Sequence, residues 1–209
     1  MRKISKYLLM AVAVALVLNF STNAKAFFGK EKTEAEKQEE IKQEQEEHKQ
    51  EKKDIRKSVN QTLAKLYEVQ PGAKSAIAKS EGYAVFNNFG VKIFFAGSGS
   101  GKGILFDKKN GKNYFMKMFE AQAGLGMGAK KFSVIFVFER YKDVDEFLNS
   151  GWEFGGQASA AAKAGDEGGS MQGAMSVSPG VWMYQLTGDG LALELTGKGT
   201  KYYKDDDLN

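Results

Sequence analysis

The stretch "AGSGSGKGILFD", residues Ala96–Asp107, decides between two different folds for this chain. It places glycine at every second position from Gly97 to Gly103, with Lys102 among the glycines. A lysine in a glycine-rich turn between a strand and a helix is typical of a phosphate-binding loop. Glycine at alternate positions is instead the period of a β-strand.

The residues around the glycines exclude both common nucleotide motifs. Aligning Gly101-Lys102 with the Gly-Lys pair of a phosphate-binding loop puts Gly103 where that motif needs a hydroxyl. The apolar residues 104–106 continue as strand, so no helix N-terminus faces a phosphate, and the G-x-G-x-x-G spacing fails as well. The stretch therefore predicts a strand. Its glycine face either packs closely inside a curled sheet or lets an apolar ligand lie against it.

The segments on both sides of this strand predict an α+β fold. Apolar residues recur at helical spacing from Ile55 to Tyr67, and Pro71-Gly72 ends that helix. A second short helix is predicted at 73–80, and residues 143–148 form a helical turn or two. Asn110-Gly111 is a hairpin signal. We expect N-terminal helices followed by a curled, partly barrel-like antiparallel β-sheet. The predicted strands cover 83–86, 91–96, 104–106, 113–119, 121–128, 132–138, 152–164, 170–177, 181–187, 191–196 and 200–203.

The first 26 residues read as a secretory signal peptide. A basic start precedes an apolar run at 7–18, and Ala24-Lys25-Ala26 supplies the small-x-small pattern of a cleavage site. The alternative is an uncleaved anchor, but the run is shorter than the roughly 20 apolar residues that span a bilayer. We expect cleavage after Ala26 and a periplasmic location. The chain has no cysteine, which excludes disulfides and thiolate metal sites.

The charge of the predicted mature chain excludes a general nucleic-acid-binding surface. The four basic residues of the signal peptide account for the whole formal net charge of +4. The mature chain is then neutral, and nucleic acid is not an expected partner.

Residues 30–57 hold ten acids and nine bases with almost no apolar residue. Such a segment has no stripe to bury, so it is either a solvated helix or a disordered spacer. We divide the chain into a signal peptide at 1–26, a charged spacer at 27–54 and a packed domain at 55–209. The single histidine, His48, falls in the spacer, which argues against a Ser-His-Asp enzyme.

Lysines concentrate in one part of the predicted domain. Residues 91–131 carry eight lysines against two acids, whereas residues 139–207 carry twelve acids and six bases. A basic lobe of this kind can hold anionic headgroups; alternatively, the two signs mix in space as ordinary surface charge. The candidate lipid-binding residues are Lys102, Lys108, Lys109, Lys112, Lys117, Lys130 and Lys131.

Five stretches together resemble the SYLF lipid-binding family in its bacterial secreted form. They are "EGYAVFNNFG" at 81–90, "GSGSGKGILFDKKNGK" at 97–112, "QAGLGMGAKKFSVIFVF" at 122–138, "FLNSGWEFGGQASAAA" at 147–162 and "GLALELTGKGTKYYKDDDLN" at 190–209. The resemblance implies phospholipid binding and no known reaction. In eukaryotic relatives the membrane-facing part is an N-terminal amphipathic helix. Residues 55–69 fit that description best here, although their apolar stripe serves equally well as core.

The expected function is therefore non-catalytic binding of anionic phospholipid or a membrane surface in the bacterial envelope. No cofactor or metal is expected, and Asp205-Asp206-Asp207 is read as a solvated tail because the EF-hand spacing is missing. The alternative is an envelope protein-interaction or stress-protective module that uses residues 30–57 to contact a protein partner.

Overall fold

The computed structural model describes residues 33–93, 96–123, 128–154, 171, 173–188, 190–192 and 199–209. By its internal contacts the chain divides into two units, Met1–Glu46 and Glu47–Asn209. The predicted signal peptide and the predicted strand residues 155–164, 170 and 193–196 lie outside the described residues.

Three helices are described: α1 (Glu34–Val69), α2 (Gly72–Lys79) and α3 (Tyr141–Asn149). The charged segment is helical from Glu34 onward. Thr33 starts it with a capping box, because Glu36 N–H donates to Thr33 Oγ1 at 3.3 Å and Thr33 N–H donates to Glu36 Oε2 at 2.7 Å. Its described residues in the first unit, 33–46, are all exposed. In the second unit, the buried side chains of α1 begin at Ile55, as the sequence predicts. None of the described helices is long and apolar enough to cross a membrane.

The described strands form one antiparallel sheet, which follows the helices α1 and α2 and confirms the predicted α+β class. Their order is β5-β9-β3-β2-β1-β4-β7-β6, and β8 pairs with β7 beside β6. The strands are β1 (Gly82–Ile93), β2 (Ala96–Asp107), β3 (Lys112–Ala123), β4 (Gly128–Phe138), β5 (Trp152–Phe154), β6 (Met175–Ser178), β7 (Val181–Thr187), β8 (Gly190–Ala192) and β9 (Gly199–Lys204).

The sheet is tightly curled, and its inner face encloses an aromatic core. Four strand spacings separate β4 from β9, which is about 19 Å in a flat sheet. The rings of Phe136 on β4 and Tyr202 on β9 nevertheless lie 5.0 Å apart. Phe86 of β1 and Phe147 of α3 pack against the same two rings. The sheet is therefore a half-barrel that closes around these side chains.

The opposite face of the sheet, here called the helix face, packs under α1 and α2. Successive residues of β4 alternate between the two cores, with Ile135 and Val137 on the helix face and Val134 and Phe136 on the inner face. Because both faces are buried, the strand reads as a continuous apolar run rather than an alternating one.

The glycines of β2 serve close packing. A Cβ on Gly103 would lie 2.6 Å from Phe86 Cδ1 and against the carbonyl oxygen of Val85. A Cβ on Gly101 would lie 2.8 Å from Met118 Cγ. At these two positions the protein's own atoms fill the space beside the glycine, which confirms the packing interpretation. The equivalent glycines at 124 and 126 and the alanines at 158–164 lie outside the described residues.

β1 is one continuous strand where the sequence predicts two. Asn87 stays in the strand because its Oδ1 accepts hydrogen bonds from Thr62 Oγ1 at 2.8 Å and Ser133 Oγ at 2.6 Å. Asn88 donates to Glu120 Oε2 at 3.2 Å. The polar side chains therefore find partners from neighbouring elements and need no turn.

The prediction of a solvated tail at 205–207 holds for Asp206 and Asp207, which are exposed, but is wrong for Asp205. Asp205 is 1% exposed, and Leu208 is buried in the core of the helix face. The side chain of Asn209 pairs with the backbone of Phe115, accepting from its N–H at 3.0 Å and donating to its carbonyl at 2.8 Å. These contacts hold the last described residues against β3.

Candidate functional site

α1 crosses the helix face of the sheet and makes polar contacts with three of its strands. Glu51 contacts Lys102 of β2, Thr62 contacts Asn87 of β1, and Lys65 contacts the end of β7. Two clefts follow each other along the same side of α1, one lined by helix residues between 47 and 58 and the next by helix residues between 58 and 65; Ser58 and Asn87 line both clefts.

The first cleft is predominantly acidic and has a volume of about 570 Å³. Lys102 points into it, but its Nζ donates to the carboxylate of Glu51. The cleft therefore offers an excess of negative charge and is a poor place for a phosphate. Its lining residues are Glu47, Gln50, Glu51, Asp54, Ile55, Ser58, Asn87 and Lys102.

The second cleft, here called the lysine cleft, has a volume of about 400 Å³ and contains two lysines. Lys65 reaches it from α1, and its Nζ donates to the carbonyl oxygens of Thr187 at 2.8 Å and Gly188 at 3.5 Å. Lys131 enters from β4 and has an exposed side chain. No acid lies among its described lining residues, which are Ser58, Gln61, Thr62, Lys65, Asn87, Asn88, Lys131, Phe132, Ser133, Leu186, Thr187 and Gly188.

The lysine cleft has the chemistry of an anion-binding site with one apolar side. Its lining holds two ammonium groups, four hydroxyls and three side-chain amides, which are the groups that donate to phosphate or carboxylate oxygens, although the hydroxyls of Thr62 and Ser133 already donate to Asn87. The oxygen of Asn87 is already occupied by two hydroxyl donors, so its amide nitrogen is free to be directed elsewhere. Phe132 and Leu186 add an apolar wall.

The predicted hairpin lysines do not converge on either cleft. Lys108 caps α2, because its Nζ donates to the carbonyls of Ala78 and Ser80 at 3.0 Å each and to that of Ile77. Partial burial lowers the pKa of Lys108, against the opposing effect of Glu81. Lys109 Nζ lies 3.9 Å from the ring centre of Tyr141, and Lys112 is exposed at the start of β3.

Lys117 is held by the C-terminal acids rather than presented to a ligand. Its Nζ lies 2.8 Å from Asp205 Oδ1 and 2.8 Å from Asp207 Oδ2. Hydrogen bonds to these carboxylates raise the pKa of Lys117 and lower that of Asp207. The basic and acidic parts of the sequence thus mix in space here, as the alternative interpretation expects. Lys130 lies on β4, and its side chain is outside the described set.

Among the predicted lysines whose side chains the structure describes, only Lys131 lines the lysine cleft. Sequence reasoning missed Lys65. Lys65 belongs to the helix predicted at 55–69, where its charge is one of several. Its contact with Thr187 depends on a crossing of α1 over β7 that no local pattern encodes. Among the described residues, no group of three or more histidines or carboxylates could hold a metal ion.

The chain has a curated relative. It is 32% identical over 154 residues to "Beta cell expansion factor A" of Aeromonas veronii, a match that covers 74% of this chain. The chain spans 57% of that relative's length. No family model matches the chain. The match shows that the two proteins are homologous over the shared region.

Proposed function

We propose that this chain belongs to the SYLF lipid-binding family and is a non-catalytic phospholipid-binding protein of the bacterial envelope. The proposal includes export to the periplasm by a signal peptide cleaved after Ala26. Its support is the set of five sequence stretches that resemble the family, together with the cleft chemistry described above.

The observation that carries the proposal is the lysine cleft. Lys65 and Lys131 enter one cleft from different elements, and the described lining residues of that cleft are otherwise uncharged. A lipid phosphate fits this set because its oxygens accept charge-assisted hydrogen bonds from ammonium groups. Phe132 and Leu186 would face the less polar glycerol part of the lipid.

Lys65 would exchange partners when a phosphate enters. Its Nζ now donates to two neutral carbonyl groups. A hydrogen bond from an ammonium group to a charged oxygen is roughly twice as strong as one between neutral groups. The phosphate would therefore compete for part of the donor capacity of Lys65.

Co-sedimentation with vesicles tests the proposal. Vesicles of phosphatidylcholine containing phosphatidylglycerol should bind the protein, and vesicles of phosphatidylcholine alone should bind it less. Lys131→Gln should weaken binding to the anionic vesicles about fivefold, since a lysine near such a surface contributes on the order of 1 kcal/mol. Lys142→Gln removes the same charge from α3, away from the cleft, and should leave binding unchanged. Negligible binding to both kinds of vesicle would refute the proposal.

The hairpin lysines require a separate test. Lys109 and Lys112 remain proposed headgroup contacts, and the Lys109→Glu/Lys112→Glu double variant tests them without disturbing the cap that Lys108 provides. Unchanged binding of this variant would assign lipid contact to the cleft alone.

The alternative function, a protein-interaction or stress-protective module, has one favourable observation. Residues 33–46 form an exposed helix, and Ile41 is 53% exposed within it. Such a charged helix with one large apolar side chain can serve as a docking arm. Pull-down from an envelope extract should recover the same partners with and without residues 34–46 if the arm is unimportant. Partners lost on deletion, from a protein that binds no vesicles, would favour the alternative.

A further inference from the structure

Two large exposed side chains lie side by side on the helix face of the sheet, beyond α1. Phe119 of β3 is 48% exposed and Tyr203 of β9 is 38% exposed. Phe119 pairs with Lys201, and Lys117 pairs with Tyr203. The two aromatic residues are therefore diagonal neighbours, about 7–8 Å apart. Alternation along each strand puts both on the helix face, since Met118 and Tyr202 belong to the inner core.

Lysines flank this pair in the same row of the sheet. The strand register places five residues side by side in one row across the sheet. They are Lys131 of β4, residue 89 of β1, Ser100 of β2, Phe119 of β3 and Lys201 of β9. Lys131 and Lys201 are both exposed, while Glu153 lies 3.4 Å from Lys201 and is 77% exposed. The row therefore holds two lysines against one acid, with an exposed aromatic side chain between them.

We propose that Phe119, Tyr203 and Lys201, here called the aromatic face, contact the interfacial layer of an anionic phospholipid bilayer. Aromatic rings with an apolar body and lysines with a long apolar stem are the side chains that suit the headgroup region. Lys131 lines the lysine cleft and stands in the same row as Phe119. Because the sheet curls between β4 and β9, Lys131 faces a different direction from the aromatic face, so the cleft and the aromatic face are separate contacts. The inference rests on the proposed function and adds the orientation of the protein on the membrane.

The aromatic face, rather than charge alone, would carry this contact. Glu153 offsets Lys201, and Asp205 and Asp207 offset Lys117. Electrostatic attraction from this part of the sheet is consequently modest. Transfer of Phe119 from water to the interface supplies the remaining driving force, because about half of its surface is exposed in the free protein.

A single-cysteine fluorescence experiment tests the proposal on the full chain. The sequence contains no cysteine, so Phe119→Cys provides a unique site for an environment-sensitive dye. On phosphatidylglycerol-containing vesicles the dye at position 119 should shift to shorter wavelength and become shielded from iodide. Lys142→Cys is the control, because Lys142 is exposed on α3, which packs against the inner face of the sheet, and the dye there should show neither change.

A second variant separates this proposal from the proposed function. Phe119→Ser should weaken vesicle binding about tenfold with little change in stability, since burying half a phenylalanine accounts for about that factor. Vesicle binding without a dye shift at position 119 overturns the inference and leaves the proposed function intact. Absence of vesicle binding overturns both. A dye shift that grows with protein concentration in the absence of lipid would assign the face to a second copy of the chain and also overturn the inference.

Discussion

Lys117 joins two segments of opposite charge, and it is the partner of a buried acid. Asp205 is 1% exposed and its Oδ2 accepts no hydrogen bond from the described residues. Its other oxygen depends on Lys117 and on the backbone N–H of Asp207 at 3.3 Å. Removing the lysine would leave a buried carboxylate without its counter-charge.

We expect Lys117→Met to lower the free energy of unfolding by about 2 kcal/mol. Losing one partner of a fully buried pair costs roughly 3–5 kcal/mol, and the partial exposure of Lys117 reduces that figure. Urea denaturation measures the change. Lys112→Met, on the same strand but exposed, should stay within about 0.5 kcal/mol of wild type; an equal loss in both variants would contradict the role assigned to Lys117.

The pH dependence of this effect follows from the two shifted pKa values. Because the pKa of Asp207 is lowered, its stabilisation is present above its ordinary pKa and is lost as pH falls through the folded value. Because the pKa of Lys117 is raised, its contribution persists until alkaline pH. The stability difference between wild type and Lys117→Met should be constant near neutrality and shrink below about pH 4. A difference that changes between pH 6 and 8 would exclude this pair as its source.

In β2, glycine leaves room for a large side chain of the neighbouring strand. Gly103 lies opposite Phe86, and the ring of Phe86 occupies the volume that a Cβ would take. This close approach lets the inner aromatic core form within a tight curl.

Gly103→Ala should therefore destabilise the domain by about 1–3 kcal/mol, the usual cost of overpacking a core. The matched control is Gly199→Ala on β9, where an added Cβ meets nothing within 4 Å. The control should change the free energy of unfolding by less than about 0.5 kcal/mol. Thermal and urea unfolding of both variants provide the measurement, and a neutral Gly103→Ala would show that the curl does not need the glycine.

Elements with a strong local signal were predictable from the sequence. The period-two glycines predict β2, and the apolar spacing from Ile55 predicts the buried part of α1. The sequence predicts two runs, 83–86 and 91–96, where the structure has one strand that includes Asn87 and Asn88. The strand continues since those amides are bonded to Thr62, Ser133 and Glu120, which lie far away in the chain.

The candidate site was much less predictable than the elements. The density of lysines predicts a lipid-binding site within residues 102–117. In the structure, however, Lys108 donates to carbonyls at the end of α2 and Lys117 pairs with the C-terminal acids. Lys65 and Lys131 meet because α1 crosses the sheet from β2 to β7. That crossing is a property of the tertiary fold, so neither composition nor spacing could reveal it.

For the whole molecule, the helical arm at 34–46 should be dispensable for folding. Its residues are exposed throughout, so they add no apolar burial. Deleting residues 34–46 from the full chain should change the Tm by less than about 2 °C. Differential scanning calorimetry checks this, and vesicle binding by the same variant should equal that of wild type. A large drop in Tm would show that the arm stabilises the rest of the chain.

The strand order has a further consequence for how the sheet can be assembled. β2 pairs with its sequence neighbours β1 and β3, and β4 returns across two strands to pair with β1, whereas β9 pairs with β3 across the whole of β4, α3 and the intervening strands. Contacts between distant parts of a chain form slowly because a large loop must close first. The edge of β3 that pairs with β9 is therefore still unpaired when the first four strands have formed, and β3 carries Phe119. An unpaired edge beside exposed aromatic side chains is a route to aggregation, so the kinetics of closure by β9 set the period during which the nascent domain is vulnerable.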